Sequence, residues 1–317
     1  MTKLDQYVNA ATRDNTRKAY QGAVRHFEVE WGGFLPATAE SVARYLVHHA
    51  ETLSVNTLRQ RLAALAQWHL DQGFPDPTKA PVVRKVLKGI QVLHPVQEKR
   101  ARPLQLEQLG QVDHWLASAI AMAKTSHDRG AELRHLRNRA LLLLGFWRGF
   151  RGDELTRLRA EHVEVVPGEG MTCYFPVTKT DRQVRGTTFK APALARLCPV
   201  EAYLAWVDAT RISEGAVFRG IDRWGHVSDE GLHIDSLVPL LRSILKEAGV
   251  VSPELYSGHS LRRGFATWAS ANGWEVKTLM EYVGWKDVHS AMRYVDSADP
   301  FARHRISEML ATEFVLR

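Results

Sequence analysis

Hydrophobic positions in the first hundred residues recur every three or four places, the spacing of helices that bury one face. Tyr20, Val24, Phe27 and Trp31 form one such stripe; Val42, Tyr45, Leu46 and His49 form another. Ser54 is placed to cap a third helix, with Leu58, Leu62 and Leu65 inside and Gly73 at its end. A fourth helix is expected to open at Thr78, with Val83, Val86, Leu87 and Ile90 on its apolar side. Its other side holds Arg84, Lys85, Lys88 and Gln91, a pattern that for a lone helix is ordinarily a solvated face.

The periodicity stops at His94 to Pro103, a polar and basic run between Pro95 and Pro103 that reads as a linker. Helical spacing resumes over 105–124, 131–148 and 153–159. Shorter β-prone runs follow at 162–166, 171–177 and 184–189, divided by Pro167-Gly-Glu-Gly170 and Thr178-Lys-Thr-Asp181. They predict a small antiparallel sheet inside a helical domain. Further helices are expected over 199–210, 235–248, 260–272, 275–283 and 287–294. The fold class is therefore mainly α with a small antiparallel β-sheet in the C-terminal domain. A length of 317 residues favours two domains. The reading places a helical domain at 1–94, a basic interdomain linker at 95–103 and a larger domain at 104–317.

Charge sharpens the division. Of 42 Lys and Arg and 35 Asp and Glu, residues 1–103 hold 15 and 9, leaving 27 and 26 for the remainder. The net charge of +7 is thus concentrated in the first third, which suits a polyanionic partner whose counterions are released on binding. The two cysteines, Cys173 and Cys198, form no CxxC, and no histidine spacing resembles a zinc site. A reducing compartment and no metal or other cofactor are expected. The longest apolar run, Ala140 to Trp147, is far short of the roughly 20 residues of a membrane span. Met-Thr-Lys-Leu-Asp-Gln at the start lacks the apolar stretch of a signal peptide. A soluble protein acting in the cytoplasm, with no membrane partner, is the expectation.

Within this frame a few residues carry chemistry. Cutting a phosphodiester without a metal requires a nucleophile, fixed positive donors for the charge gathering on the non-bridging oxygens, and an acid for the departing sugar oxygen. Guanidinium is planar, permanently charged and bidentate toward phosphate. Arg151 follows the apolar helix at the start of the next one, with Glu154 one turn on to hold it. Lys179 sits in a turn between two predicted strands, where a flexible ammonium could donate a proton. His259 and Arg262 lie three residues apart near a helix start, between Gly258 and Gly264. Trp285 offers an indole N–H on an apolar body. Tyr294 lies on a short amphipathic segment beyond it. Singly, each has a plain structural explanation: a helical ion pair, an exposed loop lysine, a capping histidine, a core tryptophan, a half-buried tyrosine.

Their order and spacing resemble a known family. Arg151-Gly-Asp-Glu-Leu, Thr178-Lys179-Thr, Gly-His259-Ser-Leu-Arg262-Arg-Gly, Gly-Trp285 and Tyr294 are similar to the motifs of the tyrosine recombinases of the lambda-integrase family, in their Cre-like branch. Asn15-Thr-Arg-Lys-Ala-Tyr20 and the stretch from Pro77 to Ile90 resemble, more weakly, the family's core-binding domain. The resemblance implies a two-domain C-shaped clamp around duplex DNA. It implies attack by Tyr294 to give a 3′-phosphotyrosyl link and a free 5′-hydroxyl, without metal or ATP. Arg151 and Arg262 would clamp the phosphate, Lys179 act as general acid, His259 as general base or relay, and Trp285 hydrogen-bond the phosphate. Glu154 matches the supporting acidic position. A homotetramer on inverted-repeat sites is also implied, exchanging a last helix at about 298–317 whose stripe is Ile306, Met309, Leu310 and Phe314. An accessory protein is left open.

Two positions depart from the family's commonest pattern. Trp285 replaces a histidine, as in the Cre-like branch. Arg148 stands where threonine is frequent, adding a charge beside the site. For DNA contact, the charge distribution nominates Arg84, Lys85 and Lys88, with Lys99, Arg100 and Arg102 following phosphates along the linker. Type IB topoisomerase-like relaxation and a catalytically silent DNA-binding accessory protein are the competing readings.

Overall fold

A computed structural model describes residues 2–3, 6–7, 11–12, 14–95, 101–166, 168–178 and 185–295. The chain divides into two units, Met1–Lys99 and Arg100–Arg317. In the first, α1 (Asp14–Arg25) runs into a π-helical turn, His26–Glu30, followed by α2 (Ala39–His48), α3 (Val55–Asp71) and α4 (Pro81–Leu93). Phe27, Val42, Tyr45, Leu46, Leu58, Leu65 and Val83 close over one core. Phe27 and Trp31 of the first stripe reach this core, while Tyr20 and Val24 lie outside it. The later apolar stripes pack as their spacing predicts, and Ser54 caps α3 by accepting the Thr57 N–H at 3.1 Å. The fourth helix begins three residues later than Thr78. Asp76 instead takes the Thr78 N–H at 2.9 Å and starts a single 3-10 turn, Pro77–Lys79. Ala80 then turns extended, and Pro81 supplies the first helical position, where its missing N–H costs nothing.

The second unit is built around α6 (Arg129–Trp147), which packs against α5 (Leu106–Thr125), α8 (Pro199–Thr210) and α10 (Ser260–Ala271). Every residue of α6 from Ala140 to Trp147 is buried, so the corner that follows it is fixed by the core. Asp128 caps this helix by accepting the Ala131 N–H at 2.8 Å. The short α7 (Gly152–Arg157) comes next, and then β1 (Val163–Val166), β2 (Gly170–Phe175) and β3 (Thr187–Pro192) form an antiparallel sheet in sequence order. The third strand lies three residues beyond the predicted 184–189, in a register that opposes Phe175 to Thr187. A second hairpin, β4 (Arg219–Ile221) with β5 (Val227–Gly231), was not predicted; its polar residues show no apolar alternation. The remaining helices are α9 (Ile234–Glu247), α11 (Val276–Val283) and α12 (Val288–Val295), which packs on α10 and α11. Among the described residues no helix is long and apolar enough to cross a membrane.

One close approach sets the height of α10. Leu104 donates its N–H to the Ser260 carbonyl at 3.0 Å, which lays the segment before α5 along the first turns of α10. A Cβ at Gly264 would stand 1.9 Å from the Leu104 carbonyl oxygen and 2.9 Å from the Phe146 ring. Both obstacles are fixed, one backbone and one buried aromatic. Gly264→Ala is therefore expected to lower stability by about 3 kcal/mol, the upper range for overpacking, in a urea titration. An unchanged midpoint would mean that the Leu104 segment can leave α10 freely.

Candidate active site

The C-terminus of α6 delivers the first functional group. Gly149 takes φ +56°, a left-handed conformation that costs glycine little and turns the chain sharply out of α6. Arg151 then precedes α7, and its N–H donates to Glu154 Oε2 at 2.8 Å. The Arg151 guanidinium returns to the same carboxylate, with Nη1 2.6 Å from Oε1. Glu154 thus serves at once as the cap of α7 and as the brace of the arginine. That placement follows from three residues of separation on one helical turn.

Arg262 arrives from α10. Its Nη1 donates to the Gly149 carbonyl at 2.6 Å and its Nη2 to the Val283 carbonyl at 3.0 Å. Nη1 also lies 3.9 Å from Glu154 Oε2, so one carboxylate faces two guanidinium groups. The side chains of Glu154 and Arg262 are 4% and 3% exposed, while Arg151 keeps 19%. The cluster holds two positive charges and one negative, with Arg151 at its open edge. Trp285 is buried and its indole ring lies 5.1 Å from the Arg262 guanidinium carbon, a cation–π contact. The fold therefore brings together Arg151, Glu154, Arg262 and Trp285 from three separate stretches of chain.

His259 immediately precedes α10 and is exposed, whereas Arg262, one turn on, is buried. The His259 N–H donates to Ser257 Oγ at 3.2 Å, which fixes the turn that presents it. Arg242 of α9 holds the preceding residue pair, donating from Nε to the Tyr256 carbonyl at 2.9 Å. Arg102 contributes its N–H to Leu255 and lays its guanidinium 5.9 Å from the Tyr256 ring. Arg102, a candidate for DNA contact from its charge, thus has a second engagement in the fold, and Arg242 supports the same turn. The solitary basic residues gave no signal of either. Tyr294 lies in α12, of which Ala291 is fully buried; for Tyr294 itself the backbone is described. Lys179, Lys99 and Arg100 lie outside the described residues, as does the segment 298–317. Arg84, Lys85 and Lys88 are exposed on α4, opposite buried Val83 and Ile90.

Arg148, whose charge had no explanation in the sequence, is 2% exposed. A lone arginine directly after an apolar helix was the available signal, and its surroundings became legible only in the fold.

A partly open, positively charged cluster of this kind can take an anion at its open edge, where Arg151 keeps 19% exposure. Comparison with known proteins agrees with that chemistry. Residues 118–300 match the model of the phage integrase family. An integrase/recombinase xerD homolog of Selenomonas ruminantium is 27% identical over 317 residues, spanning 97% of this chain and 89% of the relative. The recombinase cre of Escherichia phage P1 is 23% identical over 283 residues, spanning 84% of this chain and 78% of its own. Among solved structures, the Tn1549 transposon integrase in complex with circular intermediate DNA has the same fold, with a TM-score of 0.59 at 16% identity and 94% of each chain covered. With the matched segment exceeding half its length, the chain belongs to the phage integrase family and is a tyrosine site-specific recombinase.

Proposed function

We propose that the protein cuts and rejoins duplex DNA through a covalent 3′-phosphotyrosyl intermediate on Tyr294. The Tyr294 oxygen attacks the scissile phosphorus, and the bond to the 5′ sugar oxygen breaks. His259 takes or relays the tyrosine proton, and Lys179 gives one to the departing 5′ oxygen. Arg151 and Arg262 hold the non-bridging oxygens, where negative charge gathers in the five-coordinate transition state. Trp285 adds an indole N–H and excludes water. The bond energy stays in the phosphotyrosyl link, so a 5′-hydroxyl from a partner strand can reverse the step without ATP or metal.

The observation that carries this reading is the convergence of Arg151 and Arg262 on Glu154, with Trp285 against Arg262. Two guanidinium groups sharing one carboxylate leave a single positive charge, which a phosphodiester monoanion neutralises. The helical unit, 1–94, and the linker, 95–103, would bind DNA outside the site, through the exposed α4 side chains Arg84, Lys85 and Lys88 and through Lys99, Arg100 and Arg102. Four protomers on paired inverted-repeat sites, exchanging 298–317, would closely juxtapose the strands to be swapped.

Incubating the purified protein with sheared genomic DNA of its source, then denaturing, should capture a covalent complex. Peptide mapping is expected to find the DNA 3′-phosphate on residue 294, with a 5′-hydroxyl on the other fragment. Attachment to another residue, a 5′-phosphate link, or no covalent complex would count against the proposal.

A further inference from the structure

We propose that Arg148 is a positioning residue for the phosphate clamp, tying together the two chain segments whose carbonyls hold Arg262. The inference rests on the reading of the site given above. Arg262 spans from the Gly149 carbonyl to the Val283 carbonyl. Arg148, one residue before Gly149, donates from Nη2 to the carbonyl of Tyr282, one residue before Val283. The two arginines are therefore adjacent rungs between the same two strips of backbone. One strip leads into Arg151, the other into Trp285.

The rung is stiffened by aromatic rings. The Arg148 guanidinium carbon lies 4.0 Å from the centroid of Tyr282, 4.9 Å from that of Phe189 and 5.7 Å from that of Phe150. Phe150 in turn meets Phe189 and Phe175 edge-on, at 5.4 and 5.5 Å between centroids. A single guanidinium thus links the α6–α7 corner, the end of α11 and strand β3. No carboxylate pairs with it among the described residues, and its Nε has no hydrogen-bond partner there. The neighbouring Cys173 thiol is pushed up to about 12 by burial, against the lowering influence of Arg148, so no thiolate offsets the charge at neutral pH. A buried, uncompensated cation costs stability wherever it serves only to fill space, since an apolar side chain of the same length would pack there without desolvation. Rings on several sides and one carbonyl make this site specific for a planar cation, which lysine reproduces only in part.

The experiment uses the full chain and the duplex recovered in the covalent-complex mapping, made with a nick that traps the cleaved state. That complex is established first with the wild-type protein, so a failure there weighs against the recombinase chemistry and a failure here against Arg148. Single-turnover cleavage, DNA affinity and thermal melting are compared for wild type, Arg148→Met and Arg148→Lys. Arg148→Met is expected to bind the duplex within threefold of wild type but to cleave at least tenfold more slowly, with Arg148→Lys intermediate. A duplex carrying a methylphosphonate at the scissile position has no negative charge for the clamp to meet. On it the deficit is expected to shrink to within threefold, which a general loosening of the fold would not produce. A folded Arg148→Met that cleaves within twofold of wild type overturns the proposal, as does a deficit equally large on both duplexes. Should Arg148→Met fail to fold, Arg148→Lys decides by the same two comparisons, a severalfold deficit that closes on the methylphosphonate being the expected result.

Discussion

Phenylalanine at position 294 is expected to leave no detectable covalent protein–DNA complex, while binding to the same duplex stays within about threefold. The ring and its packing volume are kept, and only the oxygen that would bond to phosphorus is removed. Loss of a nucleophile lowers the chemical step on the order of a millionfold, which in a gel assay is absence. Binding should survive because its proposed sources lie elsewhere: the clamp comes from the α6–α7 corner and from α10, and α4 offers three exposed cations. The nearby tyrosines do not compete for the role. Tyr256 is fully buried, and Tyr282 is engaged beneath Arg148. A Tyr294→Phe protein that still forms the complex at a comparable rate would move the nucleophile to another residue and undo the assignment of α12.

What could be read from the chain before folding depended on how local the determinant was. Stripes such as Leu58, Leu62 and Leu65 announce a buried helical face within two turns, and α3 forms on it with the predicted serine cap. Arg151 and Glu154 are equally local, and their pairing needed only one helical turn. The third strand begins at Thr187 because its pairing with β2 is decided by partners more than ten residues away, whereas the predicted run 184–189 rested on local composition alone. The β4–β5 hairpin gave no apolar pattern at all, being held by its register and by the Arg159–Ala216 bridge beside it. Arg262 was recognised from its motif, but its two carbonyl acceptors are 113 and 21 residues distant, and nothing local identifies them. Arg148 is the sharpest case. Its sequence position showed only an added charge beside the site, and the fold buries it among three rings.

Replacing Glu154 by alanine is expected to separate binding from chemistry. In the free protein it leaves Arg262 buried and Arg151 half-buried without their shared carboxylate, and breaking such a pair from one side costs about 3–5 kcal/mol. The loss should appear as a lower urea midpoint for the second unit. Glu154→Gln retains an oxygen to accept the Arg151 N–H, but turns an amide N–H₂ toward a guanidinium, so an intermediate loss of about 1–3 kcal/mol is expected. The local charge rises from one positive unit to two, and a DNA phosphate then supplies the compensation that the carboxylate gave. Duplex binding by Glu154→Ala should therefore be no weaker than wild type at low salt, and should raise its melting temperature by more than it raises that of wild type. Cleavage should go the other way. Without the Glu154 carboxylate to hold its Nη1, the Arg151 guanidinium loses its aim at the non-bridging oxygens, and removing one oriented donor of this kind typically costs 10²- to 10³-fold. A Glu154→Ala protein that melts and cleaves like wild type would mean that each guanidinium is held by its other contacts alone, and the bridge would then be a consequence of the fold with no part in the reaction.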